Sequence, residues 1–197
     1  MKKKVLIVGL GWGSAGFLKS IDTDKYNIEV YSIDDFLYTP LLAQNIKYNK
    51  NLLLNAKQIN NNIDSFKEEI VNVDFHNQRV KTKNSKLIDY DYLILCHGSN
   101  VNTFNIKGVY ENCHFVKNDS HVNVIKDALL KLSNNSNIAV IGCGLTGSEI
   151  IGTLIDYNKF NIHAIDAFDR PLITFDKKLS NYTMDFWKKQ NVNTYLN

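Results

Sequence analysis

The sequence predicts an α/β protein built from two similar units, and three observations support this prediction. Continuous apolar runs at residues 2–10 (KKKVLIVGL) and 137–141 (NIAVI) are typical of strands buried on both faces of a parallel sheet. Each run is followed directly by a glycine cluster. Each cluster is followed in turn by a helical pattern and a second short apolar run. The glycine turns of these two β-glycine-α-β segments begin at Gly9 and Gly142, 133 residues apart. This internal repeat is the most informative feature of the chain.

The remaining elements follow from periodicity and from turn residues. Pro40 lies in a stretch without periodicity, residues 33–54, which we expect to form a shaped loop because proline disfavours a helix interior. Residues 69–83 alternate apolar and polar side chains around His76-Asn77, which predicts a hairpin with one solvated face. The patterns further predict helices at 14–21, 120–132, 148–157 and 176–190, and strands at 27–32, 91–96, 161–166 and 192–196.

Composition excludes several classes of protein. The chain has 197 residues, of which 44% are hydrophobic and 22% charged, and these values are typical of one large or two small globular domains. Its 23 Lys+Arg and 20 Asp+Glu give a net charge of +3, scattered along the chain, so nucleic acid is not an expected partner. Three cysteines, at 96, 113 and 143, match neither a disulfide framework nor a metal site, which favours an intracellular protein without a metal.

The N-terminal segment does not resemble a membrane span or a targeting signal. Its apolar run from Val5 to Leu10 is far shorter than a span requires and is followed at once by glycines. Lys2, Lys3 and Lys4 provide positive charge for an anionic lipid surface but no hydrophobic anchor. We therefore expect a soluble or at most peripheral membrane protein, and we interpret the three lysines as a solvated tail.

The glycine clusters match the turn that binds a dinucleotide. Gly9, Gly11 and Ser14 fit the G-x-G-x-x-small pattern, and Gly142, Gly144 and Gly147 complete the full G-x-G-x-x-G pattern. The first glycine permits a tight turn, the second leaves room for a pyrophosphate, and the small third residue lets helix and strand pack closely. The helix that follows presents free N–H groups and a positive dipole end to the phosphates.

An acidic residue indicates that the second turn binds a nucleotide and is not a plain structural connection. Asp166 ends the strand that follows the second turn, where a carboxylate accepts the ribose hydroxyls of NAD rather than NADP. At the first turn the corresponding strand ends at Tyr31, which is not an acid. Asp34 and Asp35 follow, either as ribose acceptors or as two exposed loop carboxylates.

Three further features together are more specific than a glycine motif alone: Trp12 in the first turn, the run 39–42 (TPLL) and Thr146-Gly147-x-Glu149. With these features the sequence resembles the type II NADH dehydrogenases, the single-subunit NADH:quinone oxidoreductases that do not pump protons. The similarity runs over essentially the whole chain. The matching segments are GWGSAGFLKSIDTDKYNIEVYS, FLYTPLL, DYLILCHGSNVNTFNIKGV, IAVIGCGLTGSEIIGTL and IHAIDAFDRPL.

The resemblance implies an FAD-binding part at residues 1–104. It implies that Thr39 and Pro40 lie against the isoalloxazine ring and that Gly98 belongs to a turn that returns to the FAD. His97 either donates to a phosphate or fills that turn, and we favour the second interpretation. The FAD pyrophosphate would lie at the first glycine turn, formed by Gly9, Gly11, Trp12, Gly13 and Ser14.

The resemblance also implies an incomplete NADH-binding domain at residues 105–197. Glu149 matches a glutamate near the junction of flavin and nicotinamide, where it would position the nicotinamide or handle a proton; the alternative is a helix N-terminal acid favoured by the dipole. Hydride would pass from NADH to FAD, and electrons then to a quinone-type acceptor. The residues that would hold NADH are Gly142, Gly144, Thr146, Gly147 and Asp166.

Two departures from the family layout leave a second hypothesis open. The first helix lacks the C-x-x-x-x-C pair of the disulfide reductases, which disfavours a thiol mechanism. The second part of the FAD domain, the quinone segment and the membrane-docking helices of the family are not found within 197 residues. The chain therefore covers the N-terminal half of the family layout, and it is either the N-terminal part of such an enzyme or is completed by a homodimer or a complementing chain. The alternative is a shortened dinucleotide-binding module without redox activity. Ferredoxin-reductase-like and sulfide:quinone-type relatives are further alternatives.

Overall fold

The computed structural model describes residues 2–197, and it divides them into two compact units. The first unit comprises the residues up to Tyr38 together with Leu52–Asn102, and the second comprises Thr39–Asn51 and Thr103–Asn197. Each unit has a parallel sheet with helices, so the predicted α/β class is confirmed. The second unit resumes after Asn102, and residues 39–51 also belong to it by compactness. The division at 104/105 into an FAD-binding and an NADH-binding part stays a prediction.

The first unit contains a four-stranded parallel sheet in the order β5-β2-β1-β9. Its middle strand β1 buries Leu6 and Ile7 completely, as its continuous apolar sequence predicts. Leu18 of α1 is equally buried against the sheet. The elements are β1 (Lys3–Val8), α1 (Trp12–Ser20), β2 (Tyr26–Tyr31), β3 (Phe36–Leu37), β4 (Leu53–Leu54), α2 (Ala56–Ile59), β5 (Asp64–Phe66), β6 (Ile70–Asp74), β7 (Arg79–Thr82), β8 (Leu87–Asp89) and β9 (Tyr92–Leu95).

The predicted hairpin is confirmed as β6 and β7, and β8 adds a third antiparallel strand that the sequence pattern did not show. Val80 and Thr82 of β7 are buried, whereas Lys81 between them is exposed. Val80 and Ile88 pack in one cluster with Leu6 of β1. One face of this small sheet therefore covers the parallel sheet, and its other face is solvated, as the alternation predicts.

The interpretation of the N-terminal lysines as a solvated tail is wrong. Lys3 and Lys4 belong to β1, and both form ion pairs. The Lys3 ammonium lies 2.7 Å from the Asp91 carboxylate, and the Lys4 ammonium lies 2.8 Å from that of Glu29. Lys3 and Lys4 thus lie at the N-terminal end of the inner strand β1 and are part of the folded sheet.

The second unit contains a three-stranded parallel sheet in the order β10-β11-β12. Ile151 and Leu154 of α5 and Trp187 of α6 supply its largest buried side chains on the helices. The predicted helices and strands are all present. They are α4 (Asp119–Leu130), β10 (Asn137–Ile141), α5 (Leu145–Ile155), β11 (Asn161–Ile165), α6 (Lys177–Lys189) and β12 (Asn193–Tyr195). A further short helix, α3 (Val109–Asn112), was not predicted.

Residues 39–51 form a short docking segment in this second unit. The segment contains two 3-10 turns, Thr39–Leu41 and Gln44–Ile46, consistent with the shaped loop predicted around Pro40. The Tyr157 hydroxyl donates to the Ile46 carbonyl at 2.9 Å, and the Lys47 ammonium donates to the Asp156 carbonyl at 2.7 Å. These two hydrogen bonds hold the segment against the C-terminal end of α5.

Candidate nucleotide-binding sites

The first position of the first glycine turn, Gly9, has a backbone conformation that only glycine adopts without strain. Gly9 has φ +92°, and its amide donates to the carbonyl of Tyr31 at 2.8 Å. A Cβ on Gly9 would overlap the Cys96 carbonyl and lie 2.8 Å from the Cα of His97. Because β9 ends at this place, the turn after β1 and the turn after β9 pack directly on each other. Gly98, also with positive φ (+75°), lies in the second of these turns.

Helix α1 begins inside the glycine motif, two residues earlier than the sequence predicts. Gly11 is its N-cap, and no side chain caps its first amides. A Cβ on Gly11 would meet only the Cys96 carbonyl oxygen, at 3.8 Å, whereas one on Gly13 would lie 3.1 Å from the Cys96 sulfur. Ser14 is fully buried, and its hydroxyl donates to the Gly11 carbonyl at 3.0 Å. The turn is open at its second glycine and closely packed behind it, which is the geometry that an approaching phosphate requires.

An aromatic cluster lies at the start of α1. Trp12 is 51% exposed, and its ring lies 5.0 Å from that of Phe36 and 5.6 Å from that of Tyr38. Thr39 and Pro40 follow Tyr38 in the chain, are exposed, and belong to the second unit. Trp12 thus lies with the first glycine turn, as the resemblance implies, and the placement of Thr39 and Pro40 against a flavin ring stays a prediction.

A cleft of about 350 Å³ opens at the first glycine turn. Among residues 2–197, three carboxylates line it and no lysine or arginine does. His97 is exposed in the turn after β9 and also lines the cleft. The lining residues whose chemistry matters here are Gly9, Gly11, Ser32, Asp34, Glu68, Glu69, His97 and Gly98. The sequence did not predict that Glu68 and Glu69 line this cleft, because they precede the hairpin and no local motif connects them with the turn.

The second glycine turn repeats this geometry with three glycines in three different roles. Gly142 has φ +91°, and its amide donates to the carbonyl of Ile165 at 2.8 Å. No atom lies within 4 Å of a Cβ built on Gly144, which is the N-cap of α5 and leaves its first amides without a side-chain acceptor. A Cβ on Gly147 would overlap the carbonyl oxygen of Gly142. The turn therefore matches the predicted division into tight turn, open approach and close packing.

Asp166 directly follows β11, and its carboxylate contacts the second turn. One carboxylate oxygen accepts a short hydrogen bond from the Cys143 amide within the turn, and the other accepts from the Phe168 amide at 3.0 Å. Cys143 is fully buried, and burial, aided by the Asp166 charge, raises the pKa of its thiol to about 12. The acid that the spacing predicts thus lies at the turn, half-exposed.

Matching hydrogen bonds in the two units identify which residue of the first unit corresponds to Asp166. Gly9 donates to Tyr31, and Gly142 donates to Ile165. Tyr31 therefore corresponds to Ile165, and the residue after it, Ser32, corresponds to Asp166. The prediction that Tyr31 holds the position of the acid is wrong by one residue. Tyr31 is only 1% exposed, and its hydroxyl donates to Glu29 at 3.1 Å.

Glu149 does not behave as a helix N-terminal acid. The first turn of α5 contains no acidic residue, and Glu149 lies in the second turn. Its side chain is half-buried, and burial raises the pKa of its carboxyl group. Within residues 2–197 no hydrogen bond or ion pair holds this carboxylate. Thr146, the other predicted residue of this helix, is exposed and lies in the first turn of α5. The role of both residues in cofactor binding stays a prediction.

The described residues contain no thiol pair. Cys96, Cys113 and Cys143 are all free. Within residues 2–197, no helix is long and apolar enough to cross a membrane, and no cluster of three or more His, Cys, Asp or Glu side chains is arranged to hold a metal ion.

Two parallel-sheet units, each with a glycine turn opening a helix, define the class of dinucleotide-binding oxidoreductase folds. The chain belongs to the pyridine nucleotide-disulphide oxidoreductase family, whose profile matches residues 3–197. The predicted resemblance to type II NADH dehydrogenases is confirmed by the relatives that the chain matches.

Two curated relatives and one solved structure illustrate the similarity. The mitochondrial external alternative NAD(P)H-ubiquinone oxidoreductase B1 of Solanum tuberosum is 27% identical over 239 residues, covering 97% of this chain and 41% of that protein. A probable NADH dehydrogenase of Dictyostelium discoideum is 30% identical over 217 residues, covering 90% and 48%. The NADH-bound structure of NDH2 from Plasmodium falciparum matches with a TM-score of 0.89 and 26% identity, covering 100% and 48%. The chain spans less than half the length of each.

Proposed function

We propose that this chain is the dinucleotide-binding part of an NADH dehydrogenase-like flavoprotein that transfers electrons from NADH, through FAD, to a quinone-type acceptor. The observation that carries this proposal is the pair of glycine turns, of which the second is followed by Asp166. The names of the relatives support the choice of NADH and a quinone as substrates.

The second unit would hold NADH through its glycine turn. The Cβ-free approach at Gly144 leaves the amides at the start of α5 open to the pyrophosphate. Asp166 would accept the hydroxyls of the adenosine ribose and repel the extra phosphate of NADPH. Glu149 lies one helical turn beyond these amides, and burial raises the pKa of its carboxyl group, which favours a role in exchanging a proton.

The first unit would hold FAD in the same way. Gly9 permits the tight turn, Gly11 leaves the start of α1 open, and Gly13 and Ser14 let the helix pack closely behind the turn. The exposed turn at Gly98 also lines this cleft. Bound flavin would supply the capacity to accept a hydride from NADH and to release two electrons to the acceptor.

One competing function is a dinucleotide-binding module without redox activity, which requires only the glycine turn and Asp166 of the second unit. The chain covers 41% and 48% of the two curated relatives. Such a module would keep the NADH site of the second unit and fail to retain or reduce flavin. The oxidoreductase proposal includes two alternative partners, a second copy of this chain or a complementing chain. It also includes contact with a membrane that is at most peripheral.

Purification of residues 1–197 with added FAD separates the two functions. The oxidoreductase proposal predicts yellow protein whose flavin absorption bleaches when NADH is added without oxygen. The matched control variants are Gly11→Val and Gly144→Val, which place side chains in the two open approaches; the first should remove flavin and the second should prevent bleaching while flavin stays bound. Colourless protein that binds NADH would support the competing function instead. Protein that binds neither nucleotide would contradict both.

A further inference from the structure

We propose that helix α6 is a docking surface for an anionic lipid bilayer. An apolar stripe on this helix, formed by Leu179, Tyr182 and Phe186, would enter the interfacial layer of the bilayer. Lys178 and Lys189, beside the stripe, would contact the lipid headgroups. The proposal goes beyond the proposed function, because it uses no residue of either glycine turn.

The stripe lies on one side of α6 and is exposed. Leu179, Tyr182 and Phe186 follow one another at spacings of three and four residues, which places them within about 60° of one another around a helix. They are 41%, 70% and 40% exposed. The buried side of α6 is a different one, which carries Ser180 and Trp187. Three large apolar side chains thus form an exposed row apart from the buried side of the helix, and such rows mark interaction surfaces.

The charge of α6 complements an anionic surface. The helix carries four lysines and one aspartate, Asp185. Lys178 lies four residues before Tyr182, and Lys189 lies three residues after Phe186. Side chains at these spacings are neighbours on a helix, so both lysines lie beside the stripe. Within residues 2–197, neither ammonium group has an ion-pair or hydrogen-bond partner, and both charges are available to lipid phosphates.

This combination of side chains favours a bilayer over a protein partner. A tyrosine at a bilayer surface places its ring among the acyl chains and its hydroxyl in water. A lysine beside it extends its methylene chain along the apolar layer and keeps its ammonium at the headgroups. The central parts of protein interfaces, in contrast, are depleted in lysine. A helix with an apolar side and adjacent lysines therefore fits the plane of an anionic lipid surface.

Cosedimentation of residues 1–197 with lipid vesicles tests the proposal. The protein should bind vesicles of equal parts phosphatidylcholine and phosphatidylserine, bind phosphatidylcholine alone much more weakly, and dissociate from the anionic vesicles as salt is added. Combining Lys178→Gln with Lys189→Gln should weaken binding about twenty-five-fold, or five-fold for each charge. The matched control combines Lys177→Gln with Lys188→Gln. It removes the same charge from positions two residues away from the ends of the stripe, which do not face it, and the loss should be at most about three-fold.

A second pair of variants tests the apolar contact. Tyr182→Ser should weaken binding to the anionic vesicles about ten-fold, because the ring no longer leaves water for the acyl chains. Tyr110→Ser is the matched control, since Tyr110 of α3 is 69% exposed against 70% for Tyr182, and it should leave binding unchanged. All the substituted side chains are exposed, so the melting temperatures of the variants should match that of the wild type.

Wild-type protein that does not bind the anionic vesicles would overturn the proposal, as would equal losses within either pair of variants. A dimer that Tyr182→Ser dissociates, in protein that does not bind vesicles, would overturn it too, because a second copy of the chain would then cover the stripe. Flavin bleaching by NADH, measured on the same protein, tests the proposed function separately. Vesicle binding without bleaching contradicts only the oxidoreductase proposal, and bleaching without vesicle binding contradicts only the role of α6.

Discussion

Replacement of Gly147 by alanine should destabilise the second unit, whereas the same replacement of Gly152, on the same helix α5, should stabilise it. A Cβ at this position would overlap the carbonyl oxygen of Gly142 and lie 2.9 Å from its carbonyl carbon, where ordinary contact begins at 3.4 Å. Helix α5 must therefore move away from the turn, and by more than the carbonyl carbon alone requires, because the carbonyl oxygen lies closer still. Overpacking of this kind costs about 1–3 kcal/mol. The obstructing atoms are backbone, so no side-chain rotation relieves the overlap.

Gly152 provides the matched control on the same helix. No atom lies within 4 Å of a Cβ built there, so Gly152→Ala should only add helix propensity and stabilise by about 1 kcal/mol. The helix gain partly offsets the overlap at 147, and we expect Gly147→Ala to melt several degrees below Gly152→Ala. Thermal melts followed by circular dichroism measure the difference, and NADH titration shows whether the displaced helix start has lost affinity. Equal melting temperatures for the two variants would refute the close-packing role of Gly147.

Three further predictions concern side chains near the second turn. Because burial raises the pKa of Glu149, the folded state holds its proton more tightly than the unfolded state, and ionisation lowers stability as pH rises above the ordinary carboxyl range. Glu149→Gln should therefore melt with wild type at about pH 4 and above it at neutral pH; a lower melting temperature at neutral pH would contradict this. Asp166→Asn should raise the NADPH-to-NADH affinity ratio about ten-fold in fluorescence titrations, and an unchanged ratio would count against its role. Iodoacetamide at pH 8 should alkylate Cys96 and Cys113 before Cys143, whose thiol is buried with a pKa of about 12, and in urea all three should react alike by mass spectrometry; early labelling of Cys143 would refute its burial.

The sequence predicted those parts of the fold that local chemistry determines. The run NIAVI was expected to form a strand at 137–141, and it does, because an apolar run of this length between a turn and glycines has few other stable conformations. The glycine positions were predictable for the same reason, since the motif encodes backbone geometry. The helix starts were missed by two or three residues, because glycine lowers helix propensity although the turn requires it at the N-cap.

Long-range packing explains what the sequence did not predict. Residues 33–54 have no periodicity, and the contacts of the docking segment depend on Tyr157 and Asp156, more than a hundred residues away. The carboxylates Glu68 and Glu69 reach the first cleft only because the hairpin packs beside β1. The position of Ser32 required the hydrogen bonds of both turns, since strand ends are uncertain by a residue from sequence.

The docking segment 39–51 has a consequence for how this polypeptide folds and how it can be divided. The chain crosses from one compact unit to the other three times, after Tyr38, after Asn51 and after Asn102. Neither unit is therefore a contiguous stretch that can be excised by a single cut. A fragment of residues 103–197 would lack the carbonyl of Ile46 that Tyr157 binds and the ammonium of Lys47 that caps α5. During synthesis, the second unit has its docking segment ready before its own sheet emerges, and its final packing joins parts of the chain made at different times.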